Sequence, residues 1–207
     1  MTVHVSTHPL VLHKLTLLRD VATPPTVFRQ LVRELSAFLL YEATRTMPVS
    51  PCTVRTPLAE CQGSAITQKI GLIPILRAGL GMVDPILELL PMARVWHLGL
   101  YRDHETLAPV TYYNKMTSQP DLELAFLLDP MLATGGSAVA AVDILKRGGL
   151  RHICFLGMIA APEGVETMRS RHPDVPLFLG AIDSRLNEKG YIVPGLGDAG
   201  DRQFATE

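Results

Sequence analysis

The chain has 207 residues, 47% of them hydrophobic and 19% charged, with 19 Lys plus Arg against 20 Asp plus Glu. That is enough apolar material for a soluble domain with its own core, and it excludes disordered, collagen-like and disulfide-stapled classes. The formal charge of −1 provides no global field for holding DNA, RNA or an anionic membrane, so any phosphate has to be gripped locally.

In chain order, the first residues lack the basic and apolar regions of a cleaved signal. No apolar stretch reaches the roughly 18 residues of a membrane-spanning helix before a charge or proline interrupts it. Thr23-Pro24-Pro25 followed by Leu31, Leu35, Phe38 and Leu39 predicts a long amphipathic helix that stops before Pro48. Compact apolar runs at 71–76, 95–100, 122–128 and 153–159 predict buried strands, with a shorter fifth at 176–182. Helical segments at 81–90, 136–147 and 163–171 lie between them. This alternation predicts an α/β fold, a mostly parallel sheet flanked by helices.

Two stretches break the rhythm. Residues 101–120 are polar and β-prone, which suits an extended arm or hairpin. The tail from 187 to 207 is rich in Gly, Pro and Asp and carries too few apolar residues for a core element of its own. Both are placed to cover the carboxyl edge of the sheet, where open α/β sheets bind ligands. With no repeat and no low-complexity linker, residues 1–207 are expected to form a single domain. Cys52, Cys61 and Cys154 have neither a Cys-x-x-Cys spacing nor a His at metal-ligand spacing, which suits reduced thiols in a cytoplasmic protein without a metal site.

The most informative segment is a buried strand ending on Asp129. From there the chain turns through Pro130, Met131, Leu132, Ala133, Thr134, Gly135, Gly136 and Ser137 into a helix. The glycines let backbone N–H groups turn inward, the helix end adds about half a positive charge, and Thr134 and Ser137 can donate further bonds. The Lys and the glycine spacing of the Gly-x4-Gly-Lys-Ser/Thr loop are absent. Taken alone, these residues fit either a phosphate cradle or a structural strand-to-helix turn. Asp129 bears on that choice, because a carboxylate beside a phosphate is awkward unless it meets sugar hydroxyls or a metal.

Arg77, inside an otherwise apolar run, would be costly if left unpaired in a core and so has to reach solvent or an anion. Gly195-Leu196-Gly197-Asp198-Ala199-Gly200 fits the dinucleotide pattern Gly-x-Gly-x-x-Gly, but the seven residues after it leave no room for the required βαβ unit. It reads instead as a loop that passes close to a flat ligand. His97 reads as a core histidine in a strand, and His4, His104, His152 and His172 as solvated. No nucleophile–histidine arrangement supports covalent catalysis.

With Asp129 to Ser137 in view, the sequence resembles the uracil phosphoribosyltransferase family, whose loop for 5-phosphoribosyl 1-diphosphate (PRPP) takes this form. Pro130 stands where the wider superfamily usually has a second acidic residue. The likeness continues in His8-Pro9 with His13 to Asp20, in Ile75 to Met82, in Tyr101-Arg102-Asp103 with Pro109-Val110 and Tyr112-Tyr113, and in Asn187 with Tyr191 to Arg202.

The resemblance implies a type I phosphoribosyltransferase fold with a flexible arm at 101–120 and a uracil-recognition tail at 183–207. It implies transfer of the phosphoribosyl group of PRPP to uracil, giving UMP and diphosphate in pyrimidine salvage. PRPP would be bound by Arg77, Arg102, Asp129, Pro130, Met131, Leu132, Ala133, Thr134, Gly135, Gly136, Ser137 and Asp198. Uracil would be bound by Ile192, Gly197, Asp198 and Ala199, and the catalytic residues would be Asp198, Arg102 and Asp129. Mg2+ would arrive on PRPP rather than occupy a metal site of the protein. The resemblance further implies a homodimer or higher homo-oligomer, activation by GTP, and neither a nucleic-acid nor a membrane partner. A phosphoribosyltransferase for another nucleobase, or a non-catalytic nucleotide sensor of the same fold, is the alternative.

Overall fold

The computed structural model describes residues 2–102, 109–115 and 120–206, except for the side chains of Tyr101, Arg102 and Pro109. The chain runs β1 (Val3–Val5), α1 (Pro9–Arg19), α2 (Pro25–Ala43) and a hairpin of β2 (Ser50–Arg55) and β3 (Glu60–Ala65). After β4 (Ile70–Leu76) comes a 3-10 turn (Ala78–Met82), then α3 (Val83–Leu89), β5 (Arg94–Val95), β6 (Leu98–Arg102) and β7 (Pro109–Asn114). The rest is β8 (Leu124–Leu128), β9 (Met131–Leu132), α4 (Gly136–Arg147), β10 (Ile153–Ala160), α5 (Pro162–Arg171) and β11 (Leu177–Ile182), then β12 (Arg185–Leu186), β13 (Ile192–Val193) and α6 (Ala199–Phe204).

Among the described residues the central sheet has the order β1-β11-β10-β8-β4-β6-β7, with β5 beside β4 and β9 beside β10. Every pairing is parallel except β6 with β7, which form an antiparallel hairpin as expected for the irregular stretch. The central strands are apolar throughout because both faces are covered. On one face Ile70, Leu72, Phe126, Leu128, Cys154 and Leu156 pack under α1 and α2. On the other, Ile73, Ile75, Ala125, Leu127, Ile153 and Phe155 pack under α4 and α5. Proline in the first turn and a buried stripe of Phe28, Leu31, Val32, Leu35 and Leu39 account for α2.

Several expectations change. The helix predicted at 81–90 begins only at Val83, because Pro85 is tolerated in the first turn and not further in. The strand predicted at 95–100 is interrupted at Trp96 and His97, so His97 lies half-buried between β5 and β6 rather than in a strand. His172 is buried, not solvated: it is 5% exposed, with its ring nitrogens 3.3 Å from Asp143 Oδ1 and 3.2 Å from Lys146 Nζ. It sits where α5 packs against α4, and these polar partners make its burial tolerable. His104 lies outside the described residues. The tail does contribute to the core: Ile192, Leu196, Ala199 and Gln203 are buried. Few apolar residues suffice there because the tail joins the core under α1 and α2 instead of building one.

Candidate active site

β4 and β8 are parallel neighbours, with Pro74 opposite Leu128. The chain nevertheless leaves them in opposite directions, from β4 toward β6 and from β8 toward β10. Connections that diverge in this way open a crevice at the carboxyl ends of the two strands, and the residues singled out in the sequence converge there.

On the β8 side, Asp129 is half-buried and its Oδ1 accepts from the Met131 N–H at 3.3 Å. The chain pairs briefly with β10 as β9 and then turns at Gly135, whose φ of 83° caps the start of α4. A Cβ at Gly135 would be strained at that angle and would lie 2.9 Å from Thr167 Cβ. The N-cap residue, Gly135, offers no side chain to this helix end, and Thr134 Oγ1 accepts from the Gly136 N–H at 3.4 Å. Asp129 and every residue from Met131 to Ala138 line a pocket of about 80 Å3. Pro130 is outside that lining. It is buried, and its carbonyl accepts from the Met158 and Ile159 N–H groups at 3.0 and 3.1 Å.

Burial pushes the Asp129 carboxyl up to about 7, opposed by the Met131 N–H and assisted by the negative charge of Asp198. Asp198 caps α6, its Oδ1 accepting from the Asp201 N–H at 2.9 Å. Two carboxylates on one crevice, one raising the cost of ionising the other, suit a cation delivered by an anionic ligand.

On the β4 side, Arg77 follows a cis peptide bond and donates from Nη2 to Asp201 Oδ1 at 2.9 Å, while 57% of its side chain stays exposed. Arg102 ends β6, but its side chain lies outside the described residues.

The tail closes over this crevice as a hood. Arg19 forms a two-pronged pair with Asp183 at 2.7 and 2.5 Å and donates to the Gly195 carbonyl at 2.7 Å. Asp183 also accepts from the Gly195 N–H at 2.9 Å. Arg202 lies over the Phe28 ring and donates to the carbonyls of Leu18, Asp20 and Leu196. Among the residues expected to read the base, Ile192 is buried in β13 opposite Leu186, Gly197 is exposed, and Ala199 is buried with its carbonyl taken by Gln203 Nε2 at 3.1 Å. Sequence reasoning gave no role to Arg19, Asp183, Arg202 or Gln203. The partners that tie them to the rest of the fold, such as Asp183 for Arg19 and Leu18 for Arg202, are too remote in the chain for any spacing rule to find.

Known proteins resemble this chain. A family profile described as uracil phosphoribosyltransferase matches residues 5–206. A protein of that name from Roseiflexus sp. (strain RS-1) is 65% identical over 204 residues, 99% of this chain and 98% of the relative. Another, from Dictyoglomus thermophilum, is 54% identical over 201 residues, 97% of each chain. The solved AQ2163 protein from Aquifex aeolicus superposes with a TM-score of 0.92 at 37% identity, covering 100% of this chain and 99% of that chain. A purine phosphoribosyltransferase from Pyrococcus horikoshii shares the fold, with a TM-score of 0.50 at 16% identity over 76% of this chain and 89% of that chain.

Proposed function

The chain belongs to the uracil phosphoribosyltransferase family, and from that premise we propose how its residues divide the work of the reaction. The enzyme is a pentosyltransferase that joins uracil to the phosphoribosyl group of PRPP, forming UMP and diphosphate, and its family serves pyrimidine salvage. The observation that carries the assignment of roles is the meeting of three segments at the β4–β8 crevice: the Arg77 loop, the Asp129-to-Ser137 loop and the Gly195-to-Ala199 loop.

The N–H groups from Ala133 to Ser137, with the start of α4, receive the 5-phosphate of PRPP, the usual use of an uncapped helix end. Met131 and Leu132 shape that pocket, and Pro130 fixes its rear against β10. Asp129 accepts hydrogen bonds from the ribose hydroxyls. Asp129 and Asp198, whose charges oppose each other at the crevice, would favour a Mg2+ ion carried in on PRPP, and that ion would supply charge neutralisation at the diphosphate. Arg77, joined by Arg102 from the β6–β7 arm, holds the diphosphate as it leaves C1. Because C1 passes through an oxocarbenium-like state, orientation and stabilisation of the leaving group dominate catalysis. The backbone of Ile192, Gly197 and Ala199 reads the edge of uracil, with Ala199 offering its N–H. Asp198 would accept the N1 proton or hydrogen-bond to the incoming substrate complex.

The same reading makes residues 1–207 one catalytic domain, with 183–207 as the base reader; of the arm expected at 101–120, residues 103–108 and 116–119 lie outside the described residues. It also includes assembly as a homodimer or higher homo-oligomer, activation by GTP and a cytoplasmic setting. Conversion of labelled uracil to UMP, measured with and without PRPP and Mg2+ and then with GTP, tests it. Product that requires both PRPP and Mg2+ is expected. Hypoxanthine, guanine, xanthine and orotate are run beside uracil, and preference for any of them overturns the assignment of the base reader.

A further inference from the structure

Asp201 lies on α6, three residues past Asp198, and has no assigned role. Its Oδ1 accepts from Arg77 Nη2 at 2.9 Å and from Thr206 Oγ1 at 2.5 Å. Arg77 is otherwise largely exposed, so this contact decides where its guanidinium points. An arginine offers five donors in a planar fork. Held at one nitrogen, it keeps its other donors in a fixed plane for a second anion.

The helix carrying Asp201 is itself fastened to the Arg77 loop. Gln203, 1% exposed, donates from Nε2 to the Ala78 carbonyl at 3.0 Å. A Cβ at Gly81 would lie 1.8 Å from Gln203 Oε1, so this contact requires a glycine there. Arg29 holds the Gln203 carbonyl at 2.7 Å. The loop next to the base and the loop next to the diphosphate are therefore two ends of one hydrogen-bonded unit.

We propose that Asp201 is a positioning residue for PRPP: it aims the Arg77 guanidinium at the diphosphate and ties that aim to the seating of the base-reading hood. The proposal rests on the reading of Arg77 as a diphosphate ligand. An ordinary exposed ion pair would affect neither substrate, which gives the test its contrast.

The test compares Arg77→Ala, Asp201→Asn and the double variant by steady-state kinetics in both substrates and by thermal melting. For Asp201→Asn, the expected result is a rise of about fivefold in KM for PRPP, the upper range for a partly exposed charge pair. Turnover at saturating PRPP should fall less than about twofold, since only ground-state positioning is lost. Melting should be unchanged. The double variant should be no worse than Arg77→Ala, because Asp201 acts through that side chain. Thr206→Val, which frees one side of the Asp201 carboxylate, should shift KM for PRPP in the same direction by less. If Arg77→Ala raises KM for PRPP while Asp201→Asn does not, or if the two effects add, the positioning role is overturned and the diphosphate reading stands. An unchanged KM for PRPP in Arg77→Ala overturns both.

Discussion

The pocket lined by Asp129 and by Met131 to Ala138 is made within one continuous stretch of chain, whereas the hood across the same crevice is held mainly by side chains far away in the chain. Arg19 reaches Asp183 across 164 positions, Arg29 reaches Gln203 across 174, and Arg202 reaches Leu18 across 184. In the first region the backbone conformation is the site, and a wrong φ destroys it. In the second, several hydrogen bonds share the task, and each contributes a modest amount.

The largest effect should come from Gly135→Val. A β-branched residue is unfavourable at φ 83°, and Thr167 leaves no room for its Cβ. Loss of the aligned N–H groups should lower kcat/KM for PRPP about a thousandfold, as removal of preorganised donors does elsewhere. A variant retaining wild-type kcat/KM would show that the pocket does not depend on that turn.

Asp198→Asn sharpens the comparison on the hood side. Asparagine is as good a helix cap as aspartate, so melting should not change. Turnover should fall about a hundredfold, the scale of a lost proton acceptor, while KM for PRPP moves less than about twofold. Equal turnover would remove Asp198 from the mechanism.

Arg19→Met should be milder in kinetics and costly in stability. It strands Asp183, whose side chain is only 4% exposed, and breaking such a pair costs about 3 kcal/mol. Urea unfolding should register that loss, and KM for uracil should rise about tenfold, more than KM for PRPP. A variant in which only KM for PRPP moves would contradict the division between the two regions.

The remaining effect is in pH dependence. Asp129 has a folded pKa of about 7 against an unfolded value near 4, so the folded state binds its proton more tightly. Stability of the unliganded protein should therefore fall as pH rises from about 4 to about 7 and level off above that. The melting temperature should drop by about 5–10 degrees between pH 5 and pH 8, and Asp129→Asn should flatten this response.

These two regions also show what the sequence could tell. The helix at 136–147 and the buried strands were legible because their signals are local: glycines, a strand-ending carboxylate and runs that must be apolar when both faces are covered. Even there the boundaries depended on neighbours, as where Pro85 delays α3. α1 was not legible as a helix, because Leu10, Leu12 and Leu17 are exposed beside buried Val11, Leu15 and Leu18, and this blurs its stripe. The hood read as coreless because its core is borrowed, and the polar network from Arg19 and Arg202 leaves no periodic trace. His172 misled for the same reason: its partners, Asp143 and Lys146, become neighbours only once α4 and α5 pack together.

The sheet separates two apolar layers, and the loops proposed to hold the two substrates are divided between them. The hood residues Ile192, Leu196 and Ala199, with Met82 beneath the Arg77 loop, belong to one layer. Leu132, Ala138 and Val139 beneath the phosphate pocket belong to the other. On the proposed division of roles, a cavity cut under α2 should raise KM for uracil more than KM for PRPP, and one cut under α4 should do the reverse. Mutational drift or adaptation to temperature can therefore retune the affinity for each substrate separately, by softening or stiffening one side of the sheet at a time.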